Sequence, residues 1–178
     1  GDPARRMGPF PDDIPDPEKS ALFLNLNTNK RSITLDPTTA DGRALLRALV
    51  AQADVLLEDQ PAEVARAAGL DYEGVRELNP RCVLTSVSPF GRTGPYAEAK
   101  AYPLNVVHAS GATYHQLGGR ISVLENPDAE PVKPGSYAAE CDAGVYAAVG
   151  TLAALFARNT TGRGQHLDVS KQWSMMST

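Results

Sequence analysis

The sequence is poor in the residues that build cross-linked or metal-centred sites. Its 178 residues include only two cysteines, Cys82 and Cys141, far apart and outside any spacing motif. Free thiols are therefore expected, typical of a reducing compartment, and we predict a cytoplasmic protein. The three histidines, at positions 108, 115 and 166, lack metal-ligand spacing with cysteine or acidic residues, so no metal site is predicted.

Basic charge and long apolar runs are also missing. Seventeen lysines and arginines against 21 acidic residues give a net charge of −4, which argues against a nucleic-acid partner. No apolar run approaches the roughly 20 residues of a membrane span, and no signal peptide is recognisable, so no membrane partner is expected. The sequence starts without Met and ends inside a predicted helix, so we expect part of a longer protein.

Hydrophobic periodicity and turn residues divide the chain into alternating strands and helices. Five prolines predict an extended loop over residues 1–20. Strands are predicted at 32–36, 54–58, 82–87 and 166–169, and helices at 41–52, 61–69, 72–78, 102–114, 143–158 and from about 170. Residues 116–134 are predicted as a loop or hairpin. The alternation indicates an α/β fold with a mainly parallel sheet, whose binding sites lie beyond the strands' carboxyl ends.

The predicted long helix is the most informative element. Its apolar residues recur at three- and four-residue steps and predict a buried helix, with Val145, Val149, Leu152 and Phe156 among them. Glu140 and Asp142 stand at its start, where free N–H groups and the helix dipole favour a carboxylate. Such an acid is a helix cap or a nucleophile, and the pattern alone leaves both open.

Several motifs along the chain belong together. They are Asn27–Asp36 (NTNKRSITLD), Ala53–Glu58 (ADVLLE), Gly69–Tyr72 (GLDY) leading to Leu78–Arg81 (LNPR), Ser86–Gly91 (SVSPFG) with Thr93–Tyr96 (TGPY), and Thr161–Val169 (TGRGQHLDV). In this order and spacing, the sequence resembles the class III (CaiB/BaiF-type) CoA-transferases.

The resemblance implies that residues 1–178 are part of one Rossmann-like large domain, without its N-terminal βα unit and C-terminal small domain. Full-length members form interlocked homodimers and transfer CoA from an acyl-CoA to a carboxylic acid. Coenzyme A is then a substrate, and no permanently bound cofactor is expected. The family nucleophile is an Asp four residues before the Gly of the long helix. Here that Gly is Gly144, and the matching residue is Glu140.

The resemblance also implies CoA contacts. Lys100 and Tyr102 match a Lys-x-Tyr pair that contacts CoA in some members, the alternative being a solvated lysine and a core tyrosine. Leu35 matches an apolar CoA-side position, or simply packs. The family's phosphate-facing Arg falls at Ala67, and Arg66 beside it is the candidate substitute.

Some residues depart from the family pattern, and others are alternative candidates for the same roles. Asp59 and Gln60 replace Asn-Phe after the second predicted strand. Lys30 and Arg31 are further phosphate candidates, more simply read as a solvated pair. Cys141 is predicted to be a structural thiol.

Two main functions follow. The first is CoA transfer with Glu140 as nucleophile; the alternative is a catalytically silent CaiB-like domain of a tandem or multidomain transferase or lyase, acting structurally. A CoA-dependent lyase or hydrolase is a third option. Racemase chemistry is disfavoured, since related racemases carry His at the position of Tyr102.

Overall fold

The computed structural model describes residues 2–113 and 137–176, with the single residues 125, 128 and 135. The chain divides into two compact units, Gly1–Leu35 and Asp36–Thr178. The predicted loop or hairpin at 116–134 therefore lies outside the described residues, apart from positions 125 and 128.

The first unit is organised around a buried serine. Two 3₁₀ turns, Pro3–Arg6 and Pro11–Asp13, precede helix α1, Ala21–Leu26. The Ser20 hydroxyl donates to the carbonyls of Met7 (2.6 Å) and Ala4 (2.9 Å) and accepts from the Phe23 N–H, capping α1. Residues 2–20 thus form a loop that folds back on itself rather than the predicted extended segment.

The second unit alternates strands and helices. In chain order its elements are α2 (Ala40–Val50), β1 (Val55–Glu58), α3 (Ala62–Ala67), α4 (Tyr72–Leu78), β2 (Val83–Ser88), α5 (Pro103–Ala109), α6 (Ala138–Thr161), β3 (His166–Ser170) and α7 (Lys171–Met176). Most bounds fall within two or three residues of the predicted ones, and α4 matches its prediction.

The three strands form a parallel sheet in the order β1–β2–β3. Val55 pairs with Val83, and Leu84 pairs with His166. Since successive side chains alternate between faces, Leu84 and Ser86 point to one side of the sheet and Thr85 and Val87 to the other. The predicted α/β class with a parallel sheet and flanking helices is confirmed.

One face of the sheet packs on α2 and α4. Its buried cluster consists of Val50, Val75, Cys82 and Leu84. The Asn79 side-chain amide donates to the carbonyls of Val50 (3.2 Å) and Ala53 (2.9 Å), joining the end of α2 to the turn before β2. Hydrophobic periodicity predicts that Leu45, Leu46, Leu49 and Val50 face inward on α2, but this set is too large, because Leu45 is 61% and Leu49 50% exposed.

The other face packs on α6 through small residues. Ala143, Ala147 and Ala154 are buried at helical spacing, forming what we call the alanine stripe. Gly150 continues it, since a Cβ there would come within 2.5 Å of Leu167 Cδ2. The absence of large side chains brings the helix axis close to the strands.

The prediction of which α6 face is buried was therefore wrong. Val145, Val149, Leu152 and Phe156 are 61–79% exposed within these 178 residues. Apolar periodicity marks faces that avoid water but does not say what covers them, and alanine contributes a weak signal.

Two further predictions were wrong. The predicted strand at 32–36 has no regular secondary structure, and no described strand pairs with it. A strand without a neighbour leaves its backbone N–H and C=O groups without hydrogen-bond partners. The long helix begins at Ala138, five residues before the predicted start, so it includes Glu140.

By length and composition, α6 could cross a membrane. The expectation that no segment reaches that length and apolarity is thus wrong by this criterion. The same criterion is met by core helices of α/β proteins, and the alanine stripe packs α6 against the sheet.

Candidate active site

Contacts at both its middle and its end fix α6 on the sheet. The hydroxyls of Thr151 and Thr85 lie 2.7 Å apart. Near the helix C-terminus, the Arg158 guanidinium donates to the Arg81 carbonyl (3.0 Å) and to the Asp54 carboxylate (2.9 Å), residues that precede β2 and β1. With its C-terminal end held at the strands' amino edge, α6 points its first turn toward their carboxyl edge.

Glu140 lies in that first turn and is half-buried. The first N–H groups of a helix lack intrahelical acceptors, and their dipoles favour a negative group. Among the described residues, no hydrogen bond or ion pair engages the Glu140 side chain. The cap interpretation therefore gains no support from the geometry.

A cavity of about 790 Å³ opens beside Glu140. It runs between α6, the length of β1 and the end of β2. Its lining residues are Val55, Leu57, Glu58, Asp59, Val87, Glu140, Gly144, Ala147, Ala148, Thr151, Leu152 and Lys171. Glu140 to Leu152 spans twelve residues, or about 18 Å of helix at 1.5 Å per residue. The cavity thus places a carboxylate at one end of a long, mainly apolar groove.

Gly144 leaves space in front of the carboxylate. It lies one helical turn after Glu140 on the same side of α6, and a Cβ built there would meet nothing within 4 Å. Asp142, by contrast, is turned by about 200° from Glu140 around the helix and is not among the residues that line the cavity. Of the two acids, only Glu140 faces the groove.

The predicted Lys-x-Tyr pair lies near this turn but outside the cavity lining. Ala101, between Lys100 and Tyr102, packs on a cluster that includes Ala139, the neighbour of Glu140. Tyr102 is 76% exposed and its backbone N–H donates to Asn105 Oδ1 at 2.9 Å. The core-tyrosine alternative is therefore wrong for the described chain, and both side chains are accessible.

Arg66 faces a different space. It lines a cavity of about 160 Å³ on the α3–α4 side of the sheet, together with Ser86, Arg92 and His166. Glu58, at the end of β1, borders both this cavity and the Glu140 cavity. The structure does not bring Arg66 and Glu140 into one pocket.

Leu35, Lys30 and Arg31 belong to the first unit. Leu35 is half-buried in irregular backbone. The Lys30 ammonium donates to the Leu26 carbonyl (2.9 Å) and to Asn27 Oδ1 (3.0 Å), so it caps α1. That contact favours a structural role for Lys30 over phosphate binding.

The sequence reasoning missed an ion pair at the carboxyl edge of the sheet. Arg92 Nη2 donates to Glu58 Oε1 (2.6 Å), Glu58 Oε2 (2.8 Å) and the Gln60 carbonyl (2.7 Å). The Arg92 backbone N–H donates to Asp168 Oδ2 at 2.7 Å. The Arg92 and Glu58 side chains are 12% and 6% exposed. An acid ending a buried strand was the only sequence signal for this pair.

His166 lies beside this ion pair. Its ring stacks on Tyr72 with centroids 5.5 Å apart, and Nε2 is 3.0 Å from the Ser86 hydroxyl. His166 keeps part of its surface exposed. Partial desolvation lowers its pKa, Asp168 and Glu58 act in the opposite direction, and Arg92 lowers the pKa further.

Both cysteines are free thiols, but they differ in exposure to solvent. Cys82 is buried and Cys141 is exposed. Burial raises the pKa of the Cys82 thiol. Among the described residues, no group of three or more His, Cys, Asp or Glu side chains is placed to hold a metal ion.

Comparison with known proteins decides the family. A sequence profile of CoA-transferase family III matches residues 1–178. The chain belongs to CoA-transferase family III. It is 37% identical over 172 residues to the succinate–glutarate CoA-transferase of Agrobacterium fabrum, and 36% over 165 residues to the formyl-CoA:oxalate CoA-transferase of Streptomyces avermitilis.

These matches cover 96% and 93% of the chain but 41% and 38% of the two relatives. The chain thus spans about two-fifths of the length of the curated relatives. Among solved structures, a CaiB/BaiF family protein from Brucella suis superposes with a TM-score of 0.82 at 36% identity, covering all of this chain and 45% of that one. The predicted family and fold are confirmed.

We expect Arg92→Met to lower the free energy of unfolding of the intact protein by about 3 kcal/mol, because it leaves the Glu58 carboxylate buried without a cation. Urea denaturation measures the change, and adding Glu58→Gln should recover part of the loss. Arg76→Met is the matched control, since the Arg76–Glu73 pair is exposed and should contribute less than about 1 kcal/mol. If Arg92→Met and Arg76→Met lowered the free energy of unfolding equally, the stabilising role of the buried Arg92–Glu58 pair would be contradicted.

His166 gives a pH-dependent prediction. The unfolded chain protonates this ring near its ordinary pKa of about 6.5, whereas the folded chain does so only at lower pH. Stability is therefore lost as pH falls below about 6.5, until the folded ring also protonates. His166→Gln should flatten this part of the stability curve between about pH 5 and 8. Parallel curves for the two proteins would refute the prediction.

Proposed function

We propose that the intact protein transfers CoA from an acyl-CoA to a carboxylic acid, with Glu140 as the nucleophile. The observation that carries the proposal is the position of a carboxylate in the first turn of α6, without a partner among the described residues, at the end of a cavity of about 790 Å³. Family membership supports the same reaction class. The names of the two curated relatives support CoA transfer between carboxylic acids.

The first half of the reaction makes an enzyme-bound thioester. The Glu140 carboxylate attacks the thioester carbonyl of the donor, the C–S bond breaks, and CoA leaves as a thiolate. The thiolate then attacks the Glu140 carbonyl of the resulting mixed anhydride. The donor acid leaves as a carboxylate, and CoA is held on Glu140. Covalent catalysis of this kind replaces one difficult exchange by easier steps.

The second half reverses these steps with a new acid. The acceptor carboxylate attacks the glutamyl thioester, CoA leaves as a thiolate, and a second anhydride forms. Attack of the thiolate on the acceptor carbonyl gives the new acyl-CoA and restores the Glu140 carboxylate. Protons and electrons balance without any other reactant. The first-turn N–H groups of α6 are suited to stabilise each developing oxyanion.

The surroundings of Glu140 fit these steps. Gly144 leaves room for a carbonyl group beside the carboxylate, and the apolar groove provides about 18 Å for an extended chain. Lys100 and Tyr102 are accessible near the same turn and are our candidates for contacts to CoA. Arg66 lies on another cavity, so a role for it in CoA binding needs the ligand to reach around Glu58.

A trapping experiment tests this proposal. The intact protein is incubated with a panel of acyl-CoAs and then with hydroxylamine, and the peptide carrying Glu140 is examined by mass spectrometry. We expect a hydroxamate on Glu140 that disappears in Glu140→Gln. Because a misplacement of about 1 Å can cost on the order of a hundredfold in rate, Glu140→Asp should retain reduced labelling.

Asp142→Asn is the matched control, because it removes an acid two residues away that does not line the cavity. This variant should label like the wild type. Labelling of Asp142, or of an acid elsewhere in the protein, would contradict the proposal. Absence of any label would favour a catalytically silent domain.

A further inference from the structure

Among the described residues that line the Glu140 cavity, Lys171 is the cationic one. It is the first residue of α7, directly after β3, and is half-buried. In the described part of the chain, its ammonium forms no ion pair and no side-chain hydrogen bond. It is therefore a charged group inside a cavity without a described protein partner.

The other charged residues of the cavity lining are acidic. They are Glu58, Asp59 and Glu140. Glu58 is neutralised by Arg92, whereas neither Asp59 nor Glu140 has a cationic partner among the described residues. A carboxylate that enters this cavity meets like charges, and their repulsion opposes binding.

We propose that Lys171 binds the carboxylate of the acceptor acid and holds it beside Glu140. This inference rests on the proposed function and names the residue that makes an acidic cavity accept an anionic substrate. An ammonium on a flexible four-carbon stem is suited to the task, because it offers three donors that adjust to the position of a bound carboxylate. Lys171 is then a substrate-binding residue, and Glu140 remains the nucleophile.

The test uses the free acid of the donor acyl-CoA as the acceptor, because any donor that the enzyme accepts releases this acid. The donor acyl-CoA that labels Glu140 most strongly is incubated with its own free acid carrying ¹³C, and exchange of the label into the acyl-CoA is followed by mass spectrometry. The released acid is an acceptor in the reverse direction, so its KM and the maximal exchange rate can be measured. Trapping of Glu140 by the donor alone is measured in parallel.

For Lys171→Met we expect the KM of the free acid to rise roughly 10- to 100-fold, the range typical of a lost charged hydrogen bond. The maximal exchange rate and the donor-only label on Glu140 should stay within about threefold. Lys171→Arg should restore most of the affinity, since it keeps the charge. Arg163→Met removes a cation from the turn after the C-terminal end of α6 and should leave every value unchanged.

The two proposals fail in different ways. Without a label on wild-type Glu140, the proposed function is wrong, and this inference falls with it. A labelled Glu140 with an unchanged KM in Lys171→Met would overturn only the role of Lys171. Loss of the donor-only label in that variant would also overturn it, because Lys171 would then act on Glu140 or on the donor. If Lys171→Met does not fold, Lys171→Gln is measured with the same criteria.

Discussion

The close approach of α6 to the sheet is the constraint on which the candidate site depends. Ala143, Ala147 and Ala154 bring the helix against β2 and β3, and the Thr85–Thr151 and Arg158–Asp54 contacts fix its position along the strands. Larger side chains on this stripe would push the helix away, because packed interiors have little spare volume. The helix then delivers its first turn, with Glu140, to the carboxyl edge where parallel sheets bind ligands.

The charged side chains at that edge lie on both faces of the sheet. On the α3–α4 side, Arg92 holds Glu58 in a buried pair and joins it to the loop after β2 and to β3. On the α6 side, Glu140 and Lys171 face a shared cavity without described partners. A buried, satisfied pair stabilises a fixed geometry, whereas unpaired charges in a cavity remain available to a ligand.

The sequence predicted the fold class and most elements, because hydrophobic periodicity and turn residues are local signals. Periodicity placed Glu140 and Asp142 at the start of the long helix, and the resemblance selected Glu140 between them. The sequence did not predict the buried face of α6, since alanine packing depends on distant partners. It missed the Arg92–Glu58 pair and Lys171, because each depends on loops and strand ends that meet only in three dimensions.

The central claim is that Glu140 exchanges an oxygen with the substrate acid. An acceptor labelled with ¹⁸O in its carboxylate supplies the bridging oxygen of the second anhydride, and attack of the CoA thiolate on the acceptor carbonyl leaves that oxygen on Glu140. After turnover in unlabelled water, we predict ¹⁸O in the Glu140 side chain of the intact protein, read by peptide mass spectrometry. Turnover that leaves Glu140 unlabelled, or that labels a different acid, would contradict the account.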